Sequence, residues 1–168
     1  TELGLQVIVA DMNPNAVGFN VPGVIKEVIS TIDKPAILEA AKRHNINGIM
    51  TLATDMPMQA VAAVSQTMGL VGITEETALK ATNKAYMRDA LKSNGVPVPM
   101  YFRVWEKEEY LKAVNMIWSS GYKCIVKPAD NSGSKGVDLL TEDCDLEEVF
   151  NYSKQFSRSG ELVVEEYM

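Results

Sequence analysis

Lys127 and Lys135 flank a run of small and polar residues, Asn131-Ser132-Gly133-Ser134-Lys135-Gly136, inside the stretch YKCIVKPADNSGSKGV at 122–137. Such a run exposes backbone N–H groups and hydroxyls, and its glycines let the backbone approach a ligand closely. With an ammonium on either side, the guest that fits is a polyphosphate. The loop alone reads equally well as a flexible hairpin connection carrying two solvated lysines.

The elements around the loop are strands. Cys124-Ile125-Val126 is short, apolar and β-branched, as a buried strand should be, and Lys127-Pro128 is expected to end it. Val137-Asp138-Leu139-Leu140 resumes as a second strand. Alternation puts Ile125 and Lys127 on one face. The full chain has 168 residues, 46% apolar and 23% charged, with a net charge of −6. That is a globular composition with no basic cluster, so a nucleic-acid partner is not expected and any phosphate site must be a local gathering of lysines. No apolar run is long enough for a membrane span or a signal peptide. Cys124 and Cys144 lack a CxxC spacing and a histidine neighbour, and read as reduced thiols of a cytoplasmic protein.

Toward the amino terminus, Thr1-Glu2-Leu3-Gly4 has the form of a last helical turn with Gly4 behind it, leading into a strand at 5–10 (LQVIVA) and implying an earlier strand. Asp11 stands at the carboxyl end of that strand, where it would grip a ribose in a dinucleotide fold, but no GxGxxG precedes it. Asp33 caps a helix with Pro35 in its first turn. Residues 48–52 (GIMTL) and 70–72 (LVG) read as further parallel strands, separated by a helix from Met58 to Gly69 with an apolar stripe of methionine, valine and alanine. Asp11 and Asp55 are read as turn and capping residues, and His44 as a helix-end cation. Helices follow from Thr74 and from Asn83-Lys84, the latter stopped by Gly95. Val96-Pro97-Val98-Pro99 marks a link, so domains are expected at 1–95 and 96–168. A strand at 101–105, a helix at 108–118, the loop hairpin, a helix through Leu146, Val149 and Phe150, and a strand at 161–168 (ELVVEEYM) complete the chain. The fold class expected is α/β: a parallel Rossmann-like layer followed by a small α+β subdomain.

This order resembles the ATP-grasp superfamily, in the wording of carboxylate–amine ligases and carbamoyl-phosphate-synthase-like proteins. The match runs from Asn83-Lys84 through Lys127-Pro128 and the loop 132–136 to Glu165-Glu166-Tyr167-Met168, and 5–70 looks like the domain that stands before an ATP-grasp unit. The resemblance implies that Lys84 reaches the phosphates of ATP beside Lys127, with Ile125 covering the adenine. It also implies that Ser132, Gly133, Ser134, Lys135 and Gly136 close over the terminal phosphates. Glu165 would meet the exocyclic amine with its carboxylate, and Glu166 and Met168, flanking Tyr167, would contribute backbone contacts.

The chemistry implied is phosphorylation of a small carboxylate by ATP to an acyl phosphate, which an amine-type acceptor then attacks. Magnesium bridging the phosphates belongs to the complete enzyme. Its ligands, the arginine for the acyl phosphate and the other catalytic residues are expected beyond Met168, so no metal ligand is assigned here. The chain alone is therefore expected to be inactive and to bind ATP weakly, with a homodimer or a second polypeptide completing the site and no membrane partner. Two other readings compete: a non-catalytic nucleotide-binding or assembly module, and an NAD(P)-binding oxidoreductase domain resting on Asp11.

Overall fold

The computed structural model describes residues 3–168. They fall into two compact units, Thr1–Ala78 and Leu79–Met168. The expected helical turn at 1–4 lies partly outside the described residues; Gly4 itself has φ +70°.

In the first unit, β1 (Ile8–Asp11) and β2 (Ile25–Val28) form a two-stranded parallel sheet in which Ile8 pairs with Ile25 and Asp11 with Val28. A 3-10 turn at Val17–Asn20, between them in sequence, buries Phe19. Helix α1 (Lys34–Arg43) starts where Asp33 accepts the Ala36 amide at 3.1 Å, with proline in its first turn. Helix α2 (Met58–Met68) ends on Gly69 in the left-handed conformation that glycine adopts freely. Ile37 and Ala41 of α1 meet Ala60 and Val64 of α2, and Ala10, Ile29, Ile49 and Leu70 pack against this cluster.

Two expectations need correction here. The segments expected as strands at 48–52 and 70–72 join no ladder, 71–72 forming a bend, and β2 pairs with β1 instead. Ile49 and Leu70 bury their side chains as strand residues would, yet Met50, Leu52 and Val71 are exposed. Strand composition supplies the apolar side chains, but pairing also needs a hydrogen-bonded neighbour, and among the described residues these segments have none.

Helix α3 (Glu75–Thr82) opens on Thr74, whose hydroxyl accepts the Thr77 amide at 3.1 Å, and it ends within the second unit. There follow α4 (Lys84–Ser93), β3 (Tyr101–Val104), α5 (Lys107–Ser119), β4 (Cys124–Pro128), β5 (Asp138–Leu140), α6 (Leu146–Gln155) and β6 (Leu162–Glu166). The four strands make an antiparallel sheet in the order β3-β6-β4-β5. Helix α4 belongs with this sheet, since Ala85 packs on Ala129, Val163 and Tyr101, so the compact division falls before the 96–99 stretch.

Directly opposed residues share a face, and the register therefore sorts the side chains. Val104, Cys124, Val126, Leu140, Leu162 and Val164 point to one side, into a core built with Tyr110, Val114 and Ile117 of α5 and Phe150 of α6. Tyr101, Glu165, Ile125 and Leu139 form a row on the other side, followed by Arg103, Val163 and Lys127. Strand β4 does not stop at Lys127, as its Pro128 had suggested. Pro128 pairs with Leu162, and the next bond to β6, from the Ala129 amide to the Glu161 carbonyl, is 3.0 Å. The missing proline donor faces the side that β5 has already left, so it costs the ladder nothing. Among the described residues no helix is long and apolar enough to cross a membrane.

Candidate functional site

The face of the antiparallel sheet that does not meet α5 and α6 carries the charged groups. Asn83 caps α4 by accepting the amides of Ala85 and Tyr86 at 2.9 and 3.2 Å, which fixes Lys84 as the first helical residue. The Lys84 amide bonds the Ala129 carbonyl at 2.8 Å, and its Nζ donates to the carbonyls of Pro128 at 3.0 Å and Asn131 at 2.6 Å. Lys84 is thus tied to the segment leaving β4, where Lys127 stands. Burial, and then the neighbouring Lys127 ammonium, lower its pKa.

Lys127 Nζ donates to Glu165 Oε1 across the β4–β6 pair. Arg88, one helical turn beyond Lys84, donates from Nε to Glu165 Oε2 at 3.0 Å and from Nη2 to Oε1 at 3.2 Å. The carboxylate is buried, with 3% exposure, and both of its oxygens are engaged. Burial alone would raise its pKa, but the hydrogen bonds from Arg88 and Lys127 outweigh it and hold the carboxyl below its ordinary value. Two cations, Arg88 and Lys127, therefore hold one buried anion, and Lys84 lies near enough to Lys127 to feel its charge.

The loop lies beside them. Ser132, Gly133, Ser134 and Lys135 are exposed, with Gly133 and Ser134 in left-handed backbone at φ +72° and +57°. Gly136 is buried at φ +71°, and a Cβ there would meet Phe156 Cδ2 and Pro128 Cγ, each at 2.9 Å. The exposed flap thus has a tightly packed root. Its other end is held by Asp130, which accepts the amides of Arg158 and Ser159 at 3.1 and 2.8 Å and the Ser157 hydroxyl at 3.1 Å.

Beside Lys127 the same face is apolar, with Ile125 opposite the half-exposed Leu139. At the end of β6 the Glu166 amide is spent on the Met100 carbonyl at 2.8 Å and the Tyr167 amide on Lys123 at 2.9 Å. What Glu166 can offer a ligand is its carbonyl, while its carboxylate turns to the Met100 amide at 3.2 Å. Tyr167 and Met168 lie exposed beyond it.

Lys84, Ile125, Lys127 and Glu165 therefore come together on one face, with the flap residues 132–136 at its border. Lys135 extends on the flap, and the Glu166 side chain turns to the opposite face beside Cys124. The Glu165 carboxylate, expected to meet a purine amine, has both oxygens taken by two cations. Arg88 and Leu139 are not among the site residues expected from the sequence. Arg88 stands four residues after Lys84 and so on the same side of α4, and Leu139 follows from the hairpin register.

Other sequence candidates have structural employment. Asp11 accepts the Asn13 amide at 2.8 Å as a turn residue, and the Asp55 carbonyl accepts the Met58 amide at 3.1 Å. His44 ends α1 and contacts Glu27, which also accepts Arg43 Nη2 at 2.7 Å.

No protein-family model matches the chain. It is 32% identical over 162 residues to a formate-dependent phosphoribosylglycinamide formyltransferase of Pectobacterium carotovorum, covering 94% of this chain and 40% of that protein. The protein of the same name from Pseudomonas putida is 29% identical over 171 residues, covering 99% of this chain and 42% of the relative. The chain thus spans about two fifths of the length of the curated relatives it matches. Among solved structures, an N5-carboxyaminoimidazole ribonucleotide synthetase in complex with ADP superposes with a TM-score of 0.72 at 20% identity, over 99% of this chain and 42% of its own. The biotin carboxylase domain of a 2-oxoglutarate carboxylase from Hydrogenobacter thermophilus, a dimer bound to magnesium–ADP and bicarbonate, superposes with a TM-score of 0.73 at 18% identity, over 99% and 40%.

Proposed function

We propose that this chain, whose homologues and fold neighbours are ATP-grasp enzymes, supplies the ATP-binding part of a ligase that activates a carboxylate for attack by an amine. The observation that carries the reading is the tie of Lys84 Nζ to the Pro128 and Asn131 carbonyls, which sets it beside Lys127 at the root of an exposed glycine–serine flap. Two ammonium groups at the base of an exposed loop of glycines and serines suit a polyphosphate. The apolar strip of Ile125 and Leu139 suits a purine face, and the Glu166 carbonyl and Met168 amide suit its edge.

The division of labour follows. Lys84 and Lys127 neutralise phosphate oxygens, and Ser132, Gly133, Ser134, Lys135 and Gly136 close over the terminal ones. Transfer of the γ-phosphoryl to a carboxylate forms the acyl O–P bond as the bond to ADP breaks. Amine attack then releases phosphate and leaves an amide-type carbon–nitrogen bond. Phosphoryl transfer depends mainly on positioning and charge neutralisation, and this face provides both.

The magnesium–ADP complex of the biotin carboxylase neighbour supports a metal accompanying the nucleotide in the complete enzyme. The described residues do not fit as its ligands: no three ligand-type side chains gather, and the buried carboxylates on the site face, Glu165 and Glu161, are already engaged by Arg88 with Lys127 and by Arg103. The small carboxylate, the amine-type acceptor and any second copy or polypeptide that closes the cleft belong to the same proposal.

Amide chemical-shift titration of the 168-residue chain tests it. ATP should bind with a Kd of ~1 mM or weaker, shifting amides at 132–136 and 165–168, while adenosine should shift only the second group. Lys84→Ala and Lys127→Ala should each abolish the advantage of ATP over adenosine. Saturating ATP that leaves both segments unmoved would refute the assignment.

A further inference from the structure

The site holds an arginine that the phosphate-binding roles above do not use. Arg88 reaches Glu165 with two nitrogens, and Glu165 in turn holds Lys127. We propose that Arg88 is a positioning residue that releases Lys127 for phosphate, by keeping the buried Glu165 carboxylate paired when the lysine leaves it. The proposal rests on the nucleotide reading of this face and assigns a role within it.

The geometry supports the exchange. Glu165 Oε1 is shared between Arg88 Nη2 and Lys127 Nζ, whereas Oε2 belongs to Arg88 Nε. If a phosphate oxygen draws Lys127 away, the guanidinium still donates to both carboxylate oxygens, a planar match that no single ammonium reproduces. Without Arg88, the same movement would strip a carboxylate with 3% exposure of its remaining cation. Breaking a buried pair in that way is strongly unfavourable. Lys127 would then stay on Glu165, and the triphosphate would lose one of its two cations. Arg88 spends both Nε and Nη2 on the carboxylate. It therefore acts through Glu165 rather than on the ligand.

The test compares wild type, Arg88→Met and the double variant Arg88→Met/Glu165→Gln in the 168-residue chain. The readout is the ratio of ATP to adenosine affinity, measured by amide chemical-shift titration. A helix-fastening role alone would weaken both ligands together and leave the ratio unchanged. The expected result is a fall in the ratio of about tenfold in Arg88→Met, the scale of one lost charge-assisted hydrogen bond. Neutralising Glu165 frees Lys127, so the double variant should recover to within about threefold of wild type.

An unchanged ratio in Arg88→Met, or a double variant no better than the single one, overturns the proposal. If wild type itself binds ATP no more tightly than adenosine, the nucleotide reading fails first and takes this role with it; the two failures are thus distinguishable. Should Arg88→Met not fold, Arg88→Lys and Arg88→Lys/Glu165→Gln replace it. The lysine keeps the charge but loses the fork, so a smaller fall with the same recovery is expected, and its absence overturns the proposal.

Discussion

Replacing Gly136 by alanine should damage the second unit far more than the same change at Gly133, although the two glycines share one flap and nearly one backbone conformation. Both have positive φ, +71° and +72°, so each substitution carries left-handed strain of about 1–2 kcal/mol. At Gly133 nothing lies within 4 Å of the new methyl, and the strain is the whole cost. At Gly136 the methyl would meet Phe156 Cδ2 and Pro128 Cγ at 2.9 Å and Phe156 Cβ at 3.0 Å. Proline cannot turn aside, and Phe156 is held by its own helix end and by an edge-on contact with Tyr152 at 5.0 Å. Overpacking of this kind adds about 1–3 kcal/mol. Gly136→Ala should therefore lose about 2–5 kcal/mol and Gly133→Ala about 1–2. Urea unfolding followed by tryptophan fluorescence reads this directly, because both tryptophans, Trp105 and Trp118, lie in the second unit. Trimming Phe156 to leucine in the Gly136→Ala background should recover part of the loss. Equal midpoints for the two glycine variants would show that the root of the flap is looser than the structure gives, and the reasoning would fall.

Glu165→Gln should cost about 3 kcal/mol near neutral pH by depriving Arg88 and Lys127 of their buried anion, measured by urea unfolding. Because the folded carboxyl is held below its ordinary value, its stabilisation is complete above the unfolded pKa and lost as pH falls through the lowered one. The variant should accordingly lack that part of the acid decline, and parallel curves for the two proteins would contradict the pairing. Lys84→Met should free the Asn131 carbonyl and raise hydrogen exchange across 131–135 several-fold, by about 1 kcal/mol of lost hydrogen bonding; unchanged protection would mean the tie holds nothing. Cys124 is buried, and that burial pushes its thiol up to about 12, so a disulfide reagent should label the partly exposed Cys144 first and Cys124 only as the second unit opens. Labelling of both at one rate would refute the packing.

Local chemistry made much of the second unit readable. Asn83 declares the start of α4 by its capping geometry, and the β4–loop–β5 hairpin follows from β-branched runs on either side of glycine and serine. Long-range partnership was not readable. Arg88 and Glu165 are 77 residues apart, and nothing local tells a helical arginine that it faces a strand glutamate. In the first unit the difficulty reversed. Residues 48–52 have the composition of a strand, but pairing is a property of two segments, and β2, with Lys26 and Glu27 inside it, formed the ladder with β1 instead. The 96–99 prolines mark a break in helix without marking where packing divides, because Ala85 commits α4 to the sheet that follows.

The strict alternation of β4 reaches beyond ligand binding. Val126 occupies a seat among Tyr110, Val114 and Ile117, and its sequence neighbour is Lys127. If the hairpin mis-threaded by a single residue during assembly, the ammonium would be driven into that oily seat, where an unpaired charge is scarcely tolerated. Lys127, the proposed phosphate partner, thus also acts as a safeguard against wrong threading, and exchanging it for a neutral residue would remove that safeguard together with its pairing to Glu165.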